Sequence, residues 1–284
     1  MIASRDLRSA RSSSNSSGGP VDSLVGLQLL TAILSLTAGS LDVITYLGLG
    51  GLFTAHITGN LVILAAHVAG GGATQSAAVL SVPVFMLMLG LTRLLAGALE
   101  RIGYDSLRPL LLLQFLFLAA FLSLVAVDGF KIEVATAVAT TGGMLGVSAM
   151  AVQNALVQVS LKGAPGTAVM TTNIARFTMD VGTFVLGDND DTMTDALDRA
   201  NRTWPSIVAF TVGCALGAAC EKRFNLRSLA LPTVLSLVAL AAAIASDGKR
   251  KREQQYPRTD GDQAGGNGNA SLRESDPMNS QRSS

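Results

Sequence analysis

Charge is the first thing this sequence lacks. Between Val43 and Thr92 there is no Asp, Glu, Lys or Arg. Over the whole chain only 14% of residues are charged, against about 25% in an ordinary soluble domain. Four more charge-free runs follow, Pro109–Val127, Val134–Leu161, Thr203–Cys220 and Ser228–Ser246. Each is near the roughly 20 residues that a helix needs to cross a bilayer. Hydrocarbon offers no partner to a backbone N–H or C=O, so such runs must be helical. A transmembrane barrel needs short alternating strands, and continuous apolar runs exclude it.

Other absences remove whole classes of function. The net charge is +1, so nothing global attracts nucleic acid. The two cysteines, Cys214 and Cys220, share one apolar run at a spacing that is neither a metal nor a redox motif. The two histidines, His56 and His67, lie 11 apart, close to three helical turns. Without carboxylate or thiolate support they are poor evidence for a metal site. No Ser/His/Asp set, phosphate-binding glycine loop, HExxH or CxxC is present. The expectation is therefore no enzyme, no cofactor and no metal. Residues 1–22 are serine-rich, with Arg5, Arg8 and Arg11, and no apolar core precedes Leu24. No signal peptide is expected from this pattern, and the first span is expected to be its own uncleaved insertion signal.

What is present is hydrophobic residues, 49% of the chain, at a mean hydropathy of +0.43. The expected fold is all-α, a polytopic transmembrane helical bundle of six to eight membrane segments. Helices are predicted near 24–48, 57–71, 76–99, 108–127, 133–160, 167–187, 203–221 and 228–246. Residues 23–247 form the membrane domain, between tails 1–22 and 248–284 whose composition predicts disorder. Two segments are weak. Ile57–Gly71 is short, and Gly166–Gly187 is interrupted by Arg176 and Asp180. Arg101 and Arg108 in one connection, and Lys222, Arg223 and Arg227 in another, predict that both are cytoplasmic. The acidic connection 188–202 is expected on the opposite side. The basic run Lys249–Arg252 conflicts with this scheme, because one span separates it from 221–227.

The two halves, about 24–127 and 133–246, repeat features in the same order. Ala55-His56-Ile57-Thr58-Gly59-Asn60 corresponds to Ala168-Val169-Met170-Thr171-Thr172-Asn173, Glu100-Arg101 to Glu221-Lys222, and Leu107-Arg108 to Leu226-Arg227. This predicts a duplicated unit, with 188–202 an insertion in the second copy. Three crossings per unit would make the halves inverted, and four would make them parallel.

Candidate functional residues cluster at two polar breaks. Gly48, Gly50 and Gly51 precede Thr58 and Asn60, and Gly163 and Gly166 precede Thr171, Thr172 and Asn173. Such residues cap helix starts. They also suit a half-helix terminus that faces a polar ligand. Asp42 is the sole charge of the first span, with Tyr46 one turn away as a donor. Arg176 and Asp180, at i and i+4, predict an ion pair. Asn154 matches Asp42 in spacing before the break, with Gln153 beside it. The expected polar lining is Asp42, His56, Thr58, Asn60, Asn154, Thr171, Thr172, Asn173, Arg176 and Asp180. Glycines Gly142, Gly143 and Gly146 predict close helix packing.

The residues Ala38-Gly39-Ser40-Leu41-Asp42, Gly51-Leu52-Phe53-Thr54-Ala55-His56-Ile57-Thr58-Gly59-Asn60, Gln153-Asn154-Ala155 and Val169-Met170-Thr171-Thr172-Asn173 carry a resemblance. Over roughly 24–246 the chain resembles the YoaK-like membrane proteins, the family of domain of unknown function 1275. The family is bacterial and fungal, and the resemblance implies about six spans. It implies no substrate and no reaction, since the family's molecular function is uncharacterised. The expected function is a small-solute or ion permease in the lipid bilayer of a plasma or internal membrane. The alternative is a non-transporting scaffold or assembly partner.

Overall fold

The computed structural model describes residues 20–70, 76–130, 136–187 and 190–255. The expected disorder of the tails falls mostly outside these residues. The protein is all-helical, with eight α-helices and no strand among the described residues. They are α1 (Pro20–Gly48), α2 (Ile57–Ala69), α3 (Ser76–Arg101), α4 (Leu107–Val127), α5 (Ala137–Ser160), α6 (Met170–Leu186), α7 (Asp190–Phe224) and α8 (Ala230–Gln255). A 3₁₀ turn, Asn225–Leu229, joins the last two. Four stretches are long and apolar enough to cross a membrane: Gly26–Gly48, Ser76–Arg101, Leu107–Val127 and Asp190–Ser246, the last spanning α7, the turn and α8.

Helix boundaries depart from the apolar runs in one place. Residues 190–202, expected to be a connection, are the first turns of α7. Their acids sit where a helix N-terminus favours negative charge. Asp195 and Asp198 each precede an arginine by four residues, on the same helix face. The chain thus extends α7 by a polar prefix and inserts no loop there. Asn201-Arg202-Thr203, a glycosylation sequon, lies inside that helix.

Two apolar clusters stack along the bundle axis. One gathers Leu30, Leu34, Ala96, Leu110, Leu111, Val152, Leu156, Leu161, Ala239 and Ala243. The other gathers Ala38, Ile44, Leu49, Ala77, Phe121, Val125, Ala139, Met150, Leu226 and Leu229. These memberships fix the directions of the helices. The start of α1, the ends of α3 and α5, the start of α4 and the apolar part of α8 furthest along the chain share one end. The end of α1, the starts of α3 and α5, the end of α4 and the α7–α8 turn share the other.

Individual contacts agree. Gly213 abuts Leu36, Gly217 abuts Ser40 and Gly48 abuts Leu226, so α1 and α7 run parallel. Ser106 bonds Ser160 and Gln114 bonds Gln153, so α4 and α5 run antiparallel. Gln153 bonds Leu34 O while Gly143 meets Leu49 and Leu52, so α1 and α5 run antiparallel. Asn60 bonds Ser81 and Asp180 bonds Arg199, making α2–α3 and α6–α7 antiparallel pairs. Taken together, α1, α2, α4 and α7 point one way, and α3, α5, α6 and α8 the other.

This geometry corrects the charge-based sidedness. The connection holding Arg101 and Arg108 sits at the first end, whereas Lys222, Arg223 and Arg227 sit at the second. They are at opposite ends of the bundle. The end of α8, with Lys249–Arg252, lies at the end of Arg101.

The α1–α7 seam brings backbone against backbone at its glycines. A Cβ built on Gly213 would stand 2.4 Å from Leu36 O, and one on Gly39 2.4 Å from Phe210 O. One on Gly217 would stand 2.7 Å from Ser40 O. Small residues let backbones touch, and dispersion then holds helices together in lipid, where no hydrophobic force does. Gly39→Ala and Gly213→Ala should each destabilise the protein by about 1–3 kcal/mol through overpacking against rigid backbone. Gly90→Ala, in α3 with nothing within 4 Å of the new methyl, should be neutral or stabilising by up to about 1 kcal/mol from helix propensity. Thermal unfolding in detergent of the three variants checks this contrast.

Candidate functional site

α1 ends in Gly48, and the two residues that turn the chain, Gly50 and Gly51, have φ of 72° and 101°. Only glycine adopts these readily. The chain then doubles back beside the helix it has just left. Asp42, 2% exposed, receives it. Its Oδ1 accepts from Thr54 N at 2.7 Å, Ala55 N at 2.6 Å and Thr54 Oγ1 at 3.0 Å. Its Oδ2 accepts from His56 N at 3.2 Å and His56 Nδ1 at 2.5 Å. Five donors around two acceptor oxygens satisfy a carboxylate fully. The backbone N–H groups that precede α2 are thereby capped from another helix, where an ordinary helix start is capped by a local side chain.

Asn60 closes the same loop from the other side. Its Oδ1 accepts from Phe53 N at 2.9 Å, and its Nδ2 donates to Phe53 O at 2.7 Å and to Ser81 Oγ at 2.9 Å. Neither Thr58 nor Asn60 caps the helix start: the N-cap position is His56, with no side-chain cap bond. Thr58 is exposed. Tyr46 does not reach Asp42; it stacks on Phe53 with centroids 4.8 Å apart. His56 is 37% exposed at its side chain and packs edge-on against Phe210 of α7 at 5.4 Å. It is thus the one member of the knot with access from outside the packed interior.

The second break has the same local form. Gly163 has φ 85°, against 72° at Gly50. The N-cap of α6, Val169, has φ −98° and ψ 68°, against −90° and 62° at His56. Asn173 Nδ2 donates to Gly166 O at 2.6 Å, seven residues back, as Asn60 does to Phe53 O. Thr167 stands at the place of Thr54, and its hydroxyl meets Gln153, whose Nε2 donates to it at 2.9 Å. Gln153, not Asn154, therefore reaches the second break. Asn154 turns to Met150 O of its own helix at 3.1 Å.

The remaining expected residues are dispersed. Thr171, Thr172 and Arg176 lie on the exposed face of α6. Asp180 pairs with Arg199 of α7, Nε and Nη2 each at 2.9 Å, and not with Arg176. Arg199 and Phe210 lie 11 residues apart on α7, about 16 Å along the helix axis. The Asp180 pair and the Asp42 knot are thus separate features. His67 bonds Ile63 O of its own helix. The reading of the sequence missed Thr54, Ser81, Gln114, Thr167 and Arg199. Thr54 and Thr167 carried a usable signal, since both immediately precede an alanine at the aligned breaks. The others carried none, being single polar residues on distant helices.

Asp42→Ala should strip three buried N–H groups of their acceptor and cost at least about 3 kcal/mol. Asn173→Ala, which removes a neutral bond, should cost about 1 kcal/mol. Thermal unfolding in detergent orders the two. Amide hydrogen exchange should be slower at Thr54–His56 than at Thr167–Val169, where no carboxylate holds the chain.

A family model described as "Protein of unknown function (DUF1275)" matches residues 30–242. Over 35 residues the chain is 60% identical to the "UPF0700 transmembrane protein YoaK" of Bacillus subtilis (strain 168). That stretch is 12% of this chain and spans 16% of the length of that relative. No solved structure matches. With the helical bundle and its apolar spans, these findings make the chain an integral membrane protein that belongs to the DUF1275 family.

Proposed function

We propose that this protein is a small-solute or ion permease built from two inverted halves. The observation that carries the reading is the run of directions through each break. α1 and α2 point the same way, although the chain between them turns back to Asp42. α5 and α6 do the same in the opposite sense. On this reading α2 and α6 are re-entrant half-helices that start inside the bundle from opposite sides. Each half then makes three crossings. At 13 residues, α2 is about 20 Å long, too short for the roughly 30 Å of hydrocarbon.

Irregular backbone at membrane depth survives only where protein buries it or a wet cavity faces it. Inverted halves with discontinuous helices meeting near the midplane are a recurrent design of secondary transporters. The alignment of the two breaks, Gly50 with Gly163, Thr54 with Thr167 and Asn60 with Asn173, supports duplication. The end that carries Arg101, Arg108 and Lys249–Arg252 would face the cytoplasm. No catalytic role is proposed.

One observation favours the alternative, a non-transporting scaffold. Every oxygen of Asp42 has internal donors, so that carboxylate needs no ligand. Flux separates the readings. Proteoliposomes should pass at least one member of a panel of alkali cations, inorganic anions, sugars, amides and amino acids faster than protein-free vesicles. The flux should respond to Asp42→Asn and His56→Gln in monodisperse protein. Inserted, folded protein that passes none of them would support the scaffold. Topology is tested separately, with cysteines introduced at Tyr104 and Phe224 on a background lacking Cys214 and Cys220. Membrane-impermeant maleimide should label the two from opposite sides. Labelling from the same side would exclude inverted halves.

A further inference from the structure

The two breaks share a backbone form but differ in what fills them. At the first, the N–H groups of Thr54, Ala55 and His56 converge on Asp42. At the second, among the described residues, no acceptor bonds the N–H groups of Thr167, Ala168 and Val169. Thr167 is 1% exposed and Ala168 3%, so water outside the protein does not serve these two, whereas Val169 is 51% exposed. α5 offers no substitute. Gln153 presents its Nε2, a donor, and Asn154 faces its own helix.

The amide orientations follow from chemistry. Leu34 O can only accept, so Gln153 must turn Nε2 toward it, at 2.9 Å. The same Nε2 donates to Thr167 Oγ1. Gln153 Oε1 then faces Gln114, which must answer with its own Nε2, at 2.7 Å. That leaves Gln114 Oε1, on a residue 0% exposed, without a donor. Flipping Gln114 would set two carbonyl oxygens against each other. A buried unpaired acceptor is costly and rare in native proteins. Here Gln114 is joined through Gln153 to Thr167, which carries one of the unpaired backbone donors. Water is the smallest molecule able to answer both needs.

We propose that the second break is a binding site for a small uncharged molecule with both an acceptor oxygen and an N–H or O–H donor. The ligand's oxygen would take the place at Thr167 and Ala168 that the Asp42 carboxylate takes at Thr54 and Ala55, and its donor would reach Gln114 Oε1. No side chain at this site carries a charge: Gln114, Gln153 and Thr167 are all neutral, which favours an uncharged occupant. The site deepens the permease reading and, for transport, rests on it. The first break is self-filled; the second is the one with bonds to spare.

Two measurements test the site and the permease reading apart. The first is a map of the wild-type protein at a resolution that shows ordered solvent. It should contain density bonded to Gln114 Oε1 and to the N–H groups of Thr167 or Ala168. Empty space around an unpaired Gln114 Oε1 would overturn the site whatever the flux. The second is stopped-flow permeability of proteoliposomes to water, urea, acetamide, glycerol and sodium acetate. Gln114→Leu should lower the permeability to an uncharged solute about tenfold, the effect of one buried hydrogen bond. Gly90→Ala, in α3 with nothing within 4 Å of the added methyl, should leave it unchanged. Equal permeability of wild type and a folded Gln114→Leu variant, or passage of acetate ion alone, would overturn the assignment of ligand class. Density with no flux of any probe would keep the site and sink the permease reading.

Discussion

A peptide chain that stops being helical inside a packed bundle must hand its backbone N–H and C=O groups to some other partner. Everything particular about this protein follows from that constraint. Its spans need only be apolar, and many sequences would serve. Its two breaks need donors and acceptors at set positions, and there the residue types become specific. Glycines reverse the chain at positive φ. An asparagine holds the returning carbonyl of the residue seven places before it. At the first break a carboxylate from the preceding helix gathers three consecutive N–H groups. The charge of Asp42, costly in hydrocarbon by itself, is stabilised by the same donors that need it.

The seam between α1 and α7 is the second half of that arrangement. The carboxylate can meet the returning loop only if α1 is held still, and the glycine contacts Gly39, Gly213 and Gly217 hold it against a backbone that cannot give way. Phe210, on the same seam, walls the side of His56. Close packing and the polar knot therefore support one another. Loosening the seam would expose Asp42 to lipid, and losing the knot would leave the end of α1 without a partner.

Much of this was legible in the sequence, and the rest was hidden for definable reasons. Charge-free runs of helical length show the helices, because the bilayer allows nothing else. The breaks show themselves because glycine followed by Thr and Asn is the chemistry of a chain leaving and re-entering a helix. The direction of each helix was not legible. It depends on which glycine meets which carbonyl, as at Gly213 and Leu36, and apolar pattern carries no such register. Counting basic residues placed Arg101 and Lys222 on one side, because Lys222, Arg223 and Arg227 outnumber the acids near them although they cap the opposite end. Arg176 was a reasonable partner for Asp180 at i+4, but Arg199 arrives from α7 because the polar prefix 190–202 is helical. Gln114 was invisible: a lone glutamine in a leucine run has no motif.

The difference between the halves bears on which part of the molecule can move. Opening the first break means separating one carboxylate from five donors at once, several of them charge-assisted bonds of about 1.5–3 kcal/mol each. The second break is tied by neutral bonds, Thr167 to Gln153 and Asn173 to Gly166, of about 1 kcal/mol each. The two breaks therefore differ in stiffness, one being held by a charge and the other by an amide. A permease that alternates between two faces needs one element that stays and one that yields. On the permease proposal, the charged knot of α1 would be the fixed frame, and the neutral break between α5 and α6 would be the element whose bonds a passing molecule replaces.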